Sequence, residues 1–291
     1  MSIESKLIIR SHYWDDAKAK AAFKKFILNI HGLDFTEWDT LGFWDPTFTP
    51  FSYFEGDRVV SSVCVYPLKA IIDGKETKLL QISGVGTHPD FRRRGLNKKL
   101  TEAGLAWAEG KHEGVFLFSD DEAIPYYERQ GFKLIDEFIH VCRPMPTPFR
   151  QGAVRLDPEN TNDLKRIQGF VENSIPISSK LSTINPRLVM FHVLYFMRDA
   201  VFEIPDLDCL VFFKRKDGKL SIYDIIGSQI PVFDDLYPYL ADGTDRLVEF
   251  HFHTDQLDLT DVKEKLIKGN NTMVKPGFPI RDPVFPYTSR A

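Results

Sequence analysis

Residues 79–98 read Leu-Leu-Gln-Ile-Ser-Gly-Val-Gly-Thr-His-Pro-Asp-Phe-Arg-Arg-Arg-Gly-Leu-Asn-Lys. A β-prone run ends in Val85-Gly86-Thr87. A basic turn then leads into a helical pattern that puts Leu96, Leu100, Ala103 and Trp107 on one face. This order of parts makes a cradle for an anion. The first N–H groups of a helix, here around Arg94 to Lys98, have no partner within the helix, and they converge with the positive end of its dipole. Gly95 lets the backbone approach closely, while Arg92, Arg93, Arg94 and Lys98 add charge. A pyrophosphate fits such a turn. Three arginines on a loop would by themselves be merely solvated; strand, loop and helix in sequence favour the phosphate reading.

About 35 residues beyond Arg92 stands Ala123-x-x-x-Tyr127-Glu-Arg-Gln-Gly131-Phe132. The spacing predicts a helix from Ala123 to Gln130, ended by Gly131 in the left-handed geometry glycine tolerates. A phenol with a pKa of about 10 stays protonated at neutral pH and can give its proton to a thiolate whose conjugate acid lies near 8.5. Tyr127 is therefore a candidate general acid. Tyr126, about 100° away around the same helix, is expected to be structural.

The elements that must position these residues follow from pattern. Lys6 to Arg10 reads as a strand, and Ala19, Ala22, Phe23, Phe26 and Ile27 recur at helical spacing. Residues 34–54 are dense in aromatics and carry Pro46 and Pro50, which suits a loop-rich wall. Turns at Glu55-Gly56-Asp57 and Asp73-Gly74 predict consecutive hairpins; strands are expected at Gly114 to Ser119 and Phe132 to Val141. Pro144-Met-Pro-Thr-Pro148 reads as a linker. Beyond it, Cys209 to Phe213, the Asp217-Gly218 turn, Leu220 to Ile226 and Leu247 to His253 repeat the earlier order in outline. Val115 follows Gly84 by 31 residues but Val248 follows Gly227 by only 21, and no basic glycine turn occupies the shorter interval. Only the first copy is expected to bind the phosphate ligand.

The two signatures, Arg92-x-x-Gly95-x-Asn97 and Asp120-x-x-Ala123-x-x-x-Tyr127-x-x-x-Gly131-Phe132, resemble the pyrophosphate loop and the segment after it in the GNAT superfamily of acyl-CoA N-acyltransferases. The motif resemblance spans residues 79–132, and the strand order extends it over 1–143. The tandem plan is similar to two-domain members. Val-Gly-Thr-His-Pro followed by Arg-Arg-Arg-Gly-Leu is similar to the Eis-type aminoglycoside acetyltransferases. Two positions depart from the family pattern. Asn97 stands where Gly or Ala is usual, and Asp120 replaces Asn, so when ionised it can accept hydrogen bonds but not donate them.

The resemblance implies an α/β fold: a GNAT mixed sheet flanked by helices, followed by a second, degenerate GNAT-like domain. Residues 1–143 would bind acetyl-CoA as co-substrate, 144–150 would be the linker, and 151–291 would lack a pyrophosphate loop. Val85, Gly86 and Thr87, where two parallel strands splay, would hold the pantetheine and polarise the thioester carbonyl. Arg92, Arg93, Arg94, Gly95, Leu96, Asn97 and Lys98 would take the pyrophosphate, with Asp120 also beside the cofactor. Tyr127 would protonate the departing thiolate. The implied activity is transfer of an acetyl group to a primary amine of a small molecule or peptide. The base stays open among His88, Glu37, Asp39, Asp45, a water relay and the terminal carboxylate of Ala291, the last used by Eis-type enzymes. Residues 34–54 would form the acceptor wall, with Glu37, Asp39 and Asp45 pairing a cationic amine. The competing reading is a non-catalytic acyl-CoA sensor or protein-interaction module.

Composition narrows the rest. A formal charge of −4 provides no broad basic face, so no nucleic-acid partner is expected, and the most apolar stretch, Leu188 to Met197, is too short to span a membrane. Met1 to Lys6 has no apolar leader core, and three widely spaced cysteines suit a reduced, cytoplasmic setting. His251 and His253 alternate near Asp255 and could bring two imidazoles to one face; without a third ligand of defined spacing, no metal site is assigned. Oligomeric state is not readable from this chain.

Overall fold

The computed structural model describes residues 7–291; Met1 to Lys6, including the first residue of the expected opening strand and the segment examined for a leader, lie outside the described residues. The first half runs β1 (Leu7–Ser11), α1 (Ala17–His31), α2 (Thr36–Thr40), β2 (Thr49–Glu55), β3 (Arg58–Ile72), β4 (Lys75–Thr87), α3 (Leu96–Ala108), β5 (Gly114–Phe118), α4 (Ile124–Glu128) and β6 (Lys133–Cys142). The second runs β7 (Val154–Arg155), α5 (Thr161–Glu172), β8 (Leu181–Ile184), α6 (Pro186–Tyr195), β9 (Val201–Ile204), β10 (Cys209–Lys216), β11 (Lys219–Gly227), α7 (Phe233–Leu240), β12 (Leu247–Phe250) and β13 (Lys263–Val274).

Local chemistry sets these boundaries. Asp16 caps α1 by accepting from the amides of Lys18 and Ala19, and Gly32 ends the helix at φ +70°. The helix buries Ala19, Phe23, Phe26 and Ile27, the face its spacing predicted. Helix α3 sits close on the sheet: a Cβ at Gly104 would fall 2.6 Å from Val65 Cγ1. The helix expected from Ala123 to Gln130 is shorter, because a tight turn takes residues 121–123 and only Ile124–Glu128 is α-helical; Gly131 adopts φ +80° as expected. The strand expected from Leu247 to His253 stops at Phe250.

A single mixed sheet runs through both halves in the order β1-β2-β3-β4-β5-β13-β6-β12-β11-β10-β9-β7, with β8 added to β3. Helices flank it, as the α/β expectation required. In the first half an antiparallel hairpin (β3, β4) is followed by β5 parallel to β4; in the second, β10 and β11 are followed by β12 parallel to β11. The last strand of each half then crosses over. β13 pairs with β5, β6 pairs with β12, and β6 and β13 pair with each other at the centre. No pattern in the sequence marks β13, whose Lys-Glu-Lys start and Lys-Gly-Asn-Asn middle lack strand alternation. It forms because both neighbours offer unpaired edges.

Candidate active site

Strands β4 and β5 pair in parallel only from Leu79–Gly114 to Ile82–Leu117. Past that point they diverge, and the register of β3 against β4 also shifts between Ser62 and Cys64, where Gly84 takes φ +56°. The extra β4 residue bends the strand, so the edge from Ser83 onward faces a cleft rather than a partner. Helix α1 closes one side of the cleft. A Cβ at Gly86 would lie 2.7 Å from Ile30 Cγ2 and 3.4 Å from His31 Nε2, so only glycine admits the helix this closely.

The basic turn continues from β4. Gly95 is the residue before α3 and has φ +72°; no side chain caps the helix's first amides, and its first turn holds no acid. A Cβ at Gly95 would meet nothing within 4 Å, so conformation rather than space demands glycine here. Arg92 and Arg94 donate to the carbonyls of Thr87 and Asp90, and Arg94 lies over the buried Phe91 ring at 4.9 Å, which fixes the loop while leaving the arginines exposed. Arg93 adopts φ +62°. Asn97 faces inward: its Oδ1 accepts from Ser61 Oγ at 2.6 Å and Thr87 Oγ1 at 2.8 Å. The departure from Gly or Ala is thus used to tie the end of β4 to the start of α3.

Where β4 and β5 part, a cavity of about 410 Å³ opens. Ser83, Gly84, Val85, Asp120 and Tyr127 line one side, and His31 stands at the same site. Tyr127 is 6% exposed, and burial, then the neighbouring Tyr126 and Asp120, push its phenol well above the ordinary value, so it is protonated throughout the neutral range. Tyr126 does not line the cavity; it packs edge-on to Tyr127 at 5.1 Å. The opposite side comes from α1, α2 and α6, with Phe35, Trp38, Phe48, Leu188, Phe191 and Phe196. The stretch flagged for its hydropathy, Leu188 to Met197, is therefore mostly the core helix α6, whose Phe191 ring lies 5.4 Å from both Phe35 and Trp38.

The expected acceptor acids are placed differently from the sequence reading. Glu37 is paired with Arg198, Asp39 with Lys20 and Lys24, and Asp45 accepts from Tyr66 Oη at 2.6 Å and from Thr47. None of the three lines the cavity, because each is closer to a cation or donor of its own wall. His88 instead caps the turn at Pro89, accepting from the Asp90 amide. Of the named proton acceptors, Ala291 alone lines the cavity, where its carbonyl oxygen accepts from the buried Gln81 at 3.0 Å. The final segment is held there by Arg290 on buried Glu137, Thr288 on buried Asp224 and Ser289 on Thr183.

Two imidazoles that the sequence reading did not select also line the cavity. His31 is held below its ordinary pKa chiefly by burial, opposed by Asp120. Burial drives His192 down to about 4; its Nε2 donates to the Arg290 carbonyl at 2.6 Å, and its buried Nδ1 has no partner among the described residues. Both are neutral at neutral pH. No sequence signal marked them, since each stands alone in a helix and only packing brings them to the cleft. His251 and His253 do not converge as a ligand pair: His251 stacks against Tyr223, His253 Nε2 accepts from the Val284 amide, and Asp255 is taken by Ser178 and Ser179. No group of three or more potential metal-binding side chains occurs among the described residues.

The β4 bulge, the diverging parallel strands and the uncapped helix after the basic glycine turn all lie within a stretch that one family model matches. Residues 44–135 match the acetyltransferase (GNAT) domain. The matched stretch contains the bulge, the basic turn and Tyr127. Comparison with curated protein sequences finds no match. Among solved structures, the chain is similar to a conserved protein of Enterococcus faecalis V583 at 12% identity and a TM-score of 0.61, over 94% of this chain and 73% of that one. It is also similar to Eis1 of Mycobacterium abscessus (14%, TM-score 0.56, 93% and 73%) and to a GCN5-related N-acetyltransferase of Kribbella flavida (14%, 0.53, 92% and 71%). At these identities the likeness concerns the fold, and it extends well beyond residues 44–135 into the second half. No helix among the described residues is long and apolar enough to cross a membrane.

Proposed function

We propose that this protein is an acetyl-CoA-dependent N-acetyltransferase that moves an acetyl group to a primary amine by direct attack. The observation that carries this reading is the cavity where the free β4 edge at Ser83, Gly84 and Val85 meets the protonated phenol of Tyr127, on the strand that leads through the basic turn to the uncapped N-terminus of α3. The free α3 amides at Leu96, Asn97 and Lys98, beside Arg92, Arg93 and Arg94, suit a pyrophosphate, and Gly95 supplies the φ they need. Val85, Gly86 and Thr87, with the neighbouring Ser83 and Gly84, offer backbone groups to a pantetheine arm and to the oxygen of the attacked thioester. Asp120 flanks the cofactor side of the cleft.

In this scheme the amine nitrogen bonds to the thioester carbon, the C–S bond breaks, and the thiolate takes the proton of Tyr127 while the amine loses one. Burial that raises the phenol also disfavours a naked thiolate, so transfer between them stays feasible in the dry cleft. His31 and His192, both neutral and both at the cavity, can accept the amine's N–H or its proton. We further read residues 1–143 as the acetyl-CoA-binding domain and 151–291 as a degenerate second copy after a linker at 144–150, a reading supported by the matched strand order of the halves. A cytoplasmic setting is supported by Cys64, Cys142 and Cys209, all free and buried.

Calorimetry with acetyl-CoA, paired with thiol release across a panel of amines, tests the proposal. Binding with thiol release is expected. Tight binding without release for any amine would favour a sensor module, and no binding at all would remove both readings.

A further inference from the structure

We infer that the acceptor is a monoamine with an aromatic or otherwise apolar body, and not a polycation; this rests on the acetyltransferase reading above. The acceptor side of the cavity is built from rings. Phe35, Trp38 and Phe48 come from the first half and Phe191, Phe196 and Tyr287 from the second. These rings are held in place by cross-half ties: Trp38 Nε1 donates to the Arg187 carbonyl at 3.2 Å, and Arg187 donates to the Trp44 carbonyl at 2.7 Å. The wall is thus pre-formed, not a loose set of side chains.

Charge is the second observation. Among the described residues lining the cavity, Asp120 is the only one with a carboxylate side chain, and it stands with Ser119 and Ala123 beside Tyr127, on the cofactor side. The acids that would greet several ammonium groups are turned elsewhere: Glu37 to Arg198, Asp39 to Lys20 and Lys24, Asp45 to Tyr66. The cationic lining residue, Arg290, is paired with buried Glu137, so that pair offers no free carboxylate to an ammonium group. A polyamine or aminoglycoside would leave several desolvated ammonium groups without partners in this cavity, a heavy penalty. One amine on an aromatic body does not. Its ring stacks on the wall, and the buried Nδ1 of His192, without a partner among the described residues, offers an acceptor for an N–H group.

Thiol release from acetyl-CoA is to be measured with 2-phenylethylamine, tryptamine, n-propylamine, spermidine and kanamycin, alongside calorimetry of acetyl-CoA alone. The expected result is a kcat/KM for the arylalkylamines at least about tenfold above propylamine and above both polycations, the scale an apolar pocket gives for added hydrophobic surface. A Phe196→Asp variant, altering a 38%-exposed rim ring, is expected to cut that preference about tenfold. Spermidine or kanamycin equal to or better than the arylalkylamines overturns the inference while leaving the acetyltransferase reading intact. So does faster turnover of octanoyl-CoA with short amines, which would give the aromatic wall to the acyl chain. Acetyl-CoA binding without turnover of any amine refutes the transfer reading and the acceptor class with it.

Discussion

Replacing Tyr127 by Phe removes one oxygen from a ring that is otherwise packed on Phe132 and Tyr126. No hydrogen bond to that hydroxyl is found among the described residues, so folding loses no partner and stability should move by less than about 1 kcal/mol. Catalysis should move far more. A positioned proton donor is worth on the order of 10²–10⁴ in rate, and a hundredfold loss corresponds to about 2.7 kcal/mol of barrier. We expect kcat for thiol release to fall about 100-fold or more, with the acetyl-CoA Kd changed less than about threefold, since the phenol gives its proton late and binds little in the ground state. Stopped thiol-release assays give the first number, calorimetry the second and a thermal melt the third. A Tyr127→Phe enzyme with kcat within threefold of the parent, at unchanged melting temperature, would refute the assignment of the acid.

Three further outcomes follow from the same geometry. Gly95→Ala forces an L side chain to φ +72° in open space, so stability should fall by about 1 kcal/mol while acetyl-CoA affinity falls at least tenfold, which melts and calorimetry separate. Arg290→Met removes the cation beside buried Glu137, which still accepts from Thr272, and should cost about 1.5–3 kcal/mol in urea unfolding, part of it recovered by adding Glu137→Gln. Burial raises Asp224 to about 7, above its unfolded value near 3.8, so the folded chain keeps a proton that the unfolded chain loses. Stability should therefore decline as pH rises from about 4 to 7 and level off above. Asp224→Asn should flatten that window by up to about 4 kcal/mol, read from melts across pH; an unchanged slope would count against it.

The basic glycine turn was legible because its geometry is local. Gly95, Arg92 to Arg94 and the helix that follows are adjacent in sequence, and the φ of Gly95 and the free amides of α3 follow from adjacency alone. The hairpins at Gly56 and Gly74 and the left-handed φ of Gly131 were readable for the same reason. Tyr127 was legible only together with its spacing to the turn.

What tertiary structure decided is everything whose partners lie far apart along the chain. The sequence grouped Glu37, Asp39 and Asp45 with the aromatic wall by proximity in number, but in space Glu37 pairs with Arg198, Asp39 with Lys20 and Lys24, and Asp45 accepts from Tyr66. His31 and His192 became neutral cavity groups through burial, which no single-residue pattern records. The exchange of β6 and β13, and the return of residues 284–291 to the cleft, joined segments more than a hundred residues apart. Local sequence fixes backbone geometry and the basic glycine turn; burial and pairing across the sheet choose which side chains meet at the cavity and in what protonation state.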